Sequence, residues 1–137
     1  MPTVQTVTAE GLLDLLKKSW NHHDMVTYAS QFAADAFYVN ALGQEWHGHA
    51  EIERGHIAMH KTIFRDSQMT RMTNRMQTIA EGVMLAVSDW EMVGAQPPDG
   101  WIMHHPRQGI MTLVMVEREG RWWIVAGQNT QKTPVEV

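Results

Sequence analysis

The chain has 137 residues, 11 basic against 15 acidic side chains, a formal charge of -4 and a pI near 6.0. That length bounds one domain with a single sizeable core, and interspersed charges leave no basic face to neutralise phosphates, so no nucleic-acid partner is expected. With no cysteine there is no disulfide framework, thiolate nucleophile or cysteine-ligated metal.

The opening MPTVQTVTAE lacks the charged start and apolar run of a signal peptide. No apolar stretch approaches the roughly 18 residues that span a bilayer. The expectation is a cytoplasmic protein with no membrane partner. Methionine, tryptophan and histidine are abundant, at 11, 6 and 8 residues. Adaptable methionines and large rigid tryptophans suit a core built around a cavity as well as an ordinary core.

In chain order, Thr8 can cap a helix to about Trp20, with Leu12, Leu15, Leu16 and Trp20 at helical spacing and Lys17 and Lys18 at its C-terminal dipole end. Asp24 is an N-cap for a second helix carrying Met25, Tyr28, Ala29 and Phe32 and closed by Asp35. Residues 36–40 alternate as a strand, Phe37 and Val39 on one face and Ala36, Tyr38 and Asn40 on the other. Leu42-Gly43 turns the chain, and Trp46-His47-Gly48 leads into a third helix over 49–63. Its apolar stripe of Ile52, Met59 and Ile63 is bordered by His49, Glu53, His56 and His60.

From Ser67 the period becomes two. Strands over 69–79 and 83–93 form a hairpin through Glu81-Gly82. Residues 94–106, with Trp101, Met103, His104 and His105, are the longest irregular stretch and a candidate site cover. The strand over 108–117 is apolar on both faces, which predicts burial on both sides. After Glu119-Gly120, a last strand over 121–130 places Trp122, Ile124, Ala126 and Gln128 on one face and Trp123, Val125 and Gly127 on the other; the tail from 131 is expected to fray.

Helix, helix, short strand, helix and four long antiparallel strands, with Trp20-Asn21 and Asp24, Tyr28-Ala29, Phe32-Ala33-Ala34-Asp35-Ala36, Gly43, Trp46, Gly48, Ile52, His60, Phe64, Gly120-Arg121-Trp122, Ile124 and Gln128-Asn129-Thr130, resemble the nuclear transport factor 2-like superfamily. Within it the match looks like the SnoaL-like branch and its SgcJ/EcaC-like group, over residues 8–130 of a single domain spanning 1–137. The resemblance implies an α+β cystatin-like cone, in which a curved antiparallel sheet wraps a long helix around a hydrophobic pocket. It also implies a homodimer through the outer sheet face.

Related members include steroid isomerases, scytalone dehydratase, limonene epoxide hydrolase and non-catalytic binding modules, so fold does not settle function. Registered on the steroid isomerases, the catalytic base falls at Asn40, which cannot take a proton at neutral pH, and the oxyanion-donating tyrosine falls near Leu16. That disfavours isomerase chemistry. Asp89 and Glu91 share strand parity with Val83, Leu85 and Val87, a face whose direction the sequence leaves open.

The leading expectation is a pocket for a small hydrophobic molecule, polyketide-like or another secondary metabolite. Its candidate catalytic residues are His60, Asn40 and Tyr38, and its candidate ligand contacts are Tyr28, Phe32, Trp46, His56 and Trp90. The bland alternatives are a core histidine satisfied by one hydrogen bond at His60, and plain core packing for the aromatics, with exclusively structural roles expected for Trp20 and Trp122. No cofactor is expected.

A non-enzymatic binding or dimerisation module is the second reading. A metal-dependent enzyme using His56 and His60, with His49, His104 or His105, is the third. Arg71 and Arg75 could clamp a carboxylate, against the commoner reading of a solvated face.

Overall fold

A computed structural model describes residues 7–97 and 107–133. Helix α1 (Ala9–Asn21) starts where the Thr8 hydroxyl accepts from Gly11 N at 3.0 Å. Its buried side is Leu12, Leu13, Leu16 and Trp20, and Glu10 and Lys18 stand at the ends their charges favour. Helix α2 (Met25–Ala29) starts at Asp24, whose carboxylate accepts from Thr27 N at 3.1 Å and from the Thr27 hydroxyl at 2.6 Å. It is shorter than the periodicity predicts. Phe32 belongs to strand β1 (Phe32–Val39), and Asp35 is an exposed strand residue paired with Arg118 at 3.1 Å. Phe32 follows Met25 at helical spacing, but Gln31 already lends its carbonyl to Ile124 N at 2.9 Å, which draws the chain into the sheet.

After the turn at 41–43 comes β2 (Glu45–His47), which the sequence reading missed because three residues are too few for a period. Helix α3 (His49–His60) ends before the predicted 63, and its buried residues are Ile52, His56 and His60. The histidines therefore form the inward face; Met59 and Ile63 are only partly buried. Strands β3 (Gln68–Ala80), β4 (Val83–Val93), β5 (Arg107–Arg118) and β6 (Arg121–Gln131) follow, with β3 and β4 paired as expected. Gln131 thus lies inside a strand, and residues 134–137 fall outside the described residues.

The six strands lie in the order β2-β1-β6-β5-β4-β3, antiparallel except at the parallel β1–β6 junction. The three helices pack on one face of the sheet to give an α+β cone. On β5 the inward set is Arg107, Gly109, Met111, Leu113 and Met115. The opposite set, Ile110, Val114 and Val116, is only half-buried and Thr112 is exposed, so a single chain covers one face of this strand and not both.

On β6 the predicted alternation breaks. Val114 pairs with Ala126 but Met115 pairs with Ile124, so Val125 is an extra residue that reverses the parity beyond it. Trp122 and Ile124 face the core. Ala126, Gln128 and Thr130 then share the outer face with Phe37 and Val39, while Gly127 and Asn129 turn inward.

Two glycines let large rings lie flat on backbone. A Cβ on Gly109 would overlap the Trp90 indole, and one on Gly55 would overlap that of Trp46.

Candidate ligand pocket

The helices and sheet line a narrow cavity of about 40 Å³, walled in part by Met59, Met69, Met92 and Met111, which can change rotamer. Trp20, Tyr28, Tyr38, Phe64 and Trp90 supply the aromatic wall, and Ala41 and Leu42 sit beside them in the β1–β2 turn. The polar lining is Asn40, His56, Arg107 and Asn129.

Of the residues the sequence singles out, Tyr28, Tyr38, Asn40, His56 and Trp90 therefore meet at one cavity. Phe32 and Trp46 stand behind it: Phe32 packs edge-on to Tyr38 at 5.6 Å, and Trp46 stacks on the same ring at 6.1 Å. His60 faces a separate surface hollow with His23, Asp24, Ile57 and Lys61. Trp20, expected to be purely structural, lines the cavity while its indole N–H donates to the Ser67 hydroxyl at 3.1 Å. Trp122 packs against the core away from the cavity lining.

Asn40 is committed to the turn. Its side-chain oxygen accepts from Leu42 N at 3.0 Å and Gln44 N at 2.9 Å, and its amide donates to Gln44 Oε1 at 2.9 Å. His56 is caged by Tyr28, Trp46 and Tyr38 at centroid distances of 4.8, 5.1 and 5.6 Å. Its Nδ1–H donates to the Ile52 carbonyl at 2.9 Å, which leaves Nε2 as the basic atom. Burial lowers its pKa to about 4, against a partial rise from that hydrogen bond, so the ring is neutral at pH 7.

His60 and His23 have their Nδ1 atoms 2.9 Å apart, one donating and the other accepting. The His60 ring packs edge-on to Trp20 at 4.3 Å, and its buried Nε2 has no hydrogen-bond partner among the described residues. Burial first, then His23 and His56, pull its pKa to about 3. Burial raises the Tyr38 phenol well above its usual range, keeping it protonated; its hydroxyl meets Met111 Sδ at 3.9 Å.

The sequence reading missed Arg107 and Asn129. Arg107 is only 3% exposed, with its guanidinium 5.2 Å from the Phe64 ring and 5.0 Å from the Trp90 ring. Burial lowers its pKa to about 10, so it stays cationic at neutral pH. Its Nε donates to Gln131 Oε1 at 2.6 Å, and Asn129 Oδ1 accepts from the Trp90 indole at 2.7 Å.

Asp89 and Glu91 point away from the pocket. Asp89 pairs with Arg75 at 2.7 Å and Lys132 at 3.0 Å; Glu91 lies 3.9 Å from Arg71 and accepts from Gln108 at 3.1 Å. Arg71 and Arg75 thus belong to a paired outer face. No carboxylate occurs among the described lining residues, and these residues contain no cluster of three or more histidine, cysteine or acidic side chains able to hold a metal. His104 and His105 lie outside the described residues.

The two buried imidazoles make stability pH-dependent. Unfolded histidine titrates near 6.5 and His56 in the fold at about 4, so the unfolded chain binds more protons between those values. Stability is full above pH 6.5 and falls as pH drops through that window, by about 3 kcal/mol for His56. His60 extends the same direction of loss to about pH 3. Asp24, Asp35 and Asp89, all held below the usual carboxylate range, keep their stabilising contribution through this window and begin to lose it only as pH falls below about 3.8. Denaturant unfolding between pH 7 and 4.5 is predicted to show this decline in the native protein and a shallower one in His56→Asn; equal slopes would contradict the assignment.

No family profile and no curated protein matches the sequence. Among solved structures, the fold is similar to that of an uncharacterized protein with a cystatin-like fold from Caulobacter vibrioides, at 34% identity over 91% of this chain and 87% of that one, TM-score 0.84. It is also similar to a putative scytalone dehydratase from Novosphingobium aromaticivorans, at 11% identity over 90% and 81% of the two chains, TM-score 0.69. A ketosteroid isomerase-like protein from Erwinia carotovora atroseptica shares 11% identity over 91% and 94%, TM-score 0.70. These last two speak to the fold alone. Strand order, helix placement and the 34% identity agree: the chain belongs to the same family as the Caulobacter vibrioides protein, with its cystatin-like fold.

Proposed function

We propose that the chain is a SnoaL-like small-molecule-binding protein whose ligand, a mostly apolar compound of polyketide or other secondary-metabolite type, occupies the cone. The observation that carries this reading is the cavity itself: an aromatic and methionine wall with a few oriented polar groups, the usual composition of a small-molecule site. Proton transfer of the isomerase or dehydratase kind through a carboxylate is not supported, because the described lining holds none. The basic atom available there is His56 Nε2, a weak base, so binding rather than turnover is the primary reading. Of the catalytic trio expected from sequence, Tyr38 keeps a hydroxyl for a ligand, Asn40 is spent on its turn, and His60 faces the separate hollow.

Trp20 and Trp90 report on the cavity by fluorescence. Titration with neutral one- and two-ring aromatics is expected to quench emission saturably in the native protein. Met111→Trp, which fills the cavity, should weaken binding at least tenfold while thermal unfolding stays cooperative. Undiminished binding in that variant would move the site elsewhere, and no binding of any probe would remove the reading.

A second reading concerns assembly. Phe37, 37% exposed, joins Val39, Val114 and Ala126 in a shallow hollow on the outer sheet face, and Leu85 and Val87 are half-buried further along it. An outer sheet face that mixes these apolar side chains with Thr112, Gln128 and Thr130 suits a second copy of the chain. Analytical ultracentrifugation should give a dimer that Val114→Glu converts to monomer; a native monomer at tens of micromolar would overturn this.

A further inference from the structure

We infer that the cavity selects neutral ligands carrying a phenolic or enolic hydroxyl, which donates its proton to His56 Nε2 and has the Tyr28 and Tyr38 hydroxyls as its donors. The inference rests on the cone being the ligand site and adds the chemical class of what enters it.

Three side chains of different elements carry it, from α3, α2 and β1. The Ile52 carbonyl can only accept, so the bond at 2.9 Å fixes the proton of His56 on Nδ1 and leaves a lone pair on Nε2. Among the described residues, the one side-chain nitrogen or oxygen both sealed in and unpartnered is His60 Nε2. Nε2 of His56 and the Tyr28 hydroxyl also lack a hydrogen-bond partner among these residues, so each has open space beside it, and both residues line the cavity. The Tyr38 hydroxyl has only Met111 Sδ, a weak acceptor at 3.9 Å. Burial holds both phenols protonated and the imidazole neutral at pH 7. The rings are neighbours, with His56 4.8 Å from Tyr28 and 5.6 Å from Tyr38 between centroids.

The cavity thus holds one lone-pair acceptor flanked by two donors in apolar surroundings, where a polar group left without a partner is costly. A ligand hydroxyl completes all three, because it has one proton to give and two lone pairs to receive with. A fluorine or an ether oxygen has no proton for Nε2. An aryl hydroxyl is also a stronger donor than an alkyl one, and the wall around it is aromatic. Any ring that enters so narrow a space has to displace methionine side chains, a cost common to probes of one shape that cancels in their affinity ratio. A purely structural His56, satisfied by its helix, predicts no preference among such probes.

The test is calorimetric titration at pH 7, where phenol is neutral, with phenol, fluorobenzene and anisole. Phenol is expected to bind at least tenfold more tightly than either. His56→Phe, which keeps a ring and removes the acceptor, should bring the phenol-to-fluorobenzene ratio near unity. Tyr28→Phe combined with Tyr38→Phe should lower that ratio at least threefold. Histidine nitrogen NMR needs no variant to fold: the Nε2 resonance of His56 should move toward its protonated position with phenol and stay in place with fluorobenzene.

Fluorobenzene or anisole binding as well as phenol, a phenol preference that survives His56→Phe, or an unmoved Nε2 resonance at saturation would overturn the inference while leaving the cone as a binding site. Phenol binding undiminished in Met111→Trp, or failure of all three probes to bind a cooperatively folded protein, would overturn this inference and the reading beneath it.

Discussion

The inward face of α3 is the constraint on which the rest of the structure depends. A central helix in a cone this size could present only aliphatic side chains, yet here Ile52 is followed by His56 and His60. An imidazole inside an apolar shell has to be neutral and hydrogen-bonded. His56 meets both conditions through its own helix, by donating to the Ile52 carbonyl; His60 meets them at Nδ1 alone, by sharing a proton with His23 of the α1–α2 turn, while its Nε2 has no partner among the described residues. The aromatic rings of Trp20, Tyr28, Tyr38 and Trp46 close round these two groups. One helix and four other elements, α1, α2, β1 and β2, are thereby tied to the protonation state of two rings.

The opposite end of the cavity owes its character to backbone irregularities. The bulge at Val125 reverses the parity of β6 and turns Asn129 inward. The missing side chain at Gly109 lets the Trp90 indole lie against β5 and reach that amide. Without both, the inward positions would be Gln128 and a displaced indole, and Arg107 would lose the ring beside it. Bulges recur next to binding sites because they re-aim a side chain without breaking the sheet. Strand parity on β4 puts Asp89 and Glu91 on the outer face, where Arg71, Arg75 and Lys132 pair with them.

Much of the fold was legible in the residues. Thr8 and Asp24 cap the helices they were expected to cap, Tyr38 and Asn40 face inward opposite Phe37 and Val39, and both tight hairpins fall at Glu81-Gly82 and Glu119-Gly120. What was not legible follows from two physical causes. Helical and strand periods overlap around Phe32, so α2 ran too far, and a one-residue bulge leaves no mark in an alternation already apolar on both sides, so the outer half of β6 was assigned to the wrong face.

The candidate site divides in the same way. Tyr28, Tyr38, Asn40, His56 and Trp90 could be found as aromatic or polar residues on apolar faces. Arg107 was passed over because a charged residue at a strand start reads as solvated, although its parity with Met111, Leu113 and Met115 was a usable signal. Asn129 had none, since only the bulge brings it inside.

The central claim is that the cone interior, and not the outer sheet, receives the ligand. With eleven methionines in the chain, methyl-labelled methionine NMR during titration with a small neutral aromatic compound tests this most directly. The account predicts that the methyls of Met59, Met69, Met92 and Met111, which line the cavity, shift first and together. Shifts confined to methionines outside that lining, with these four unmoved at saturation, would contradict it.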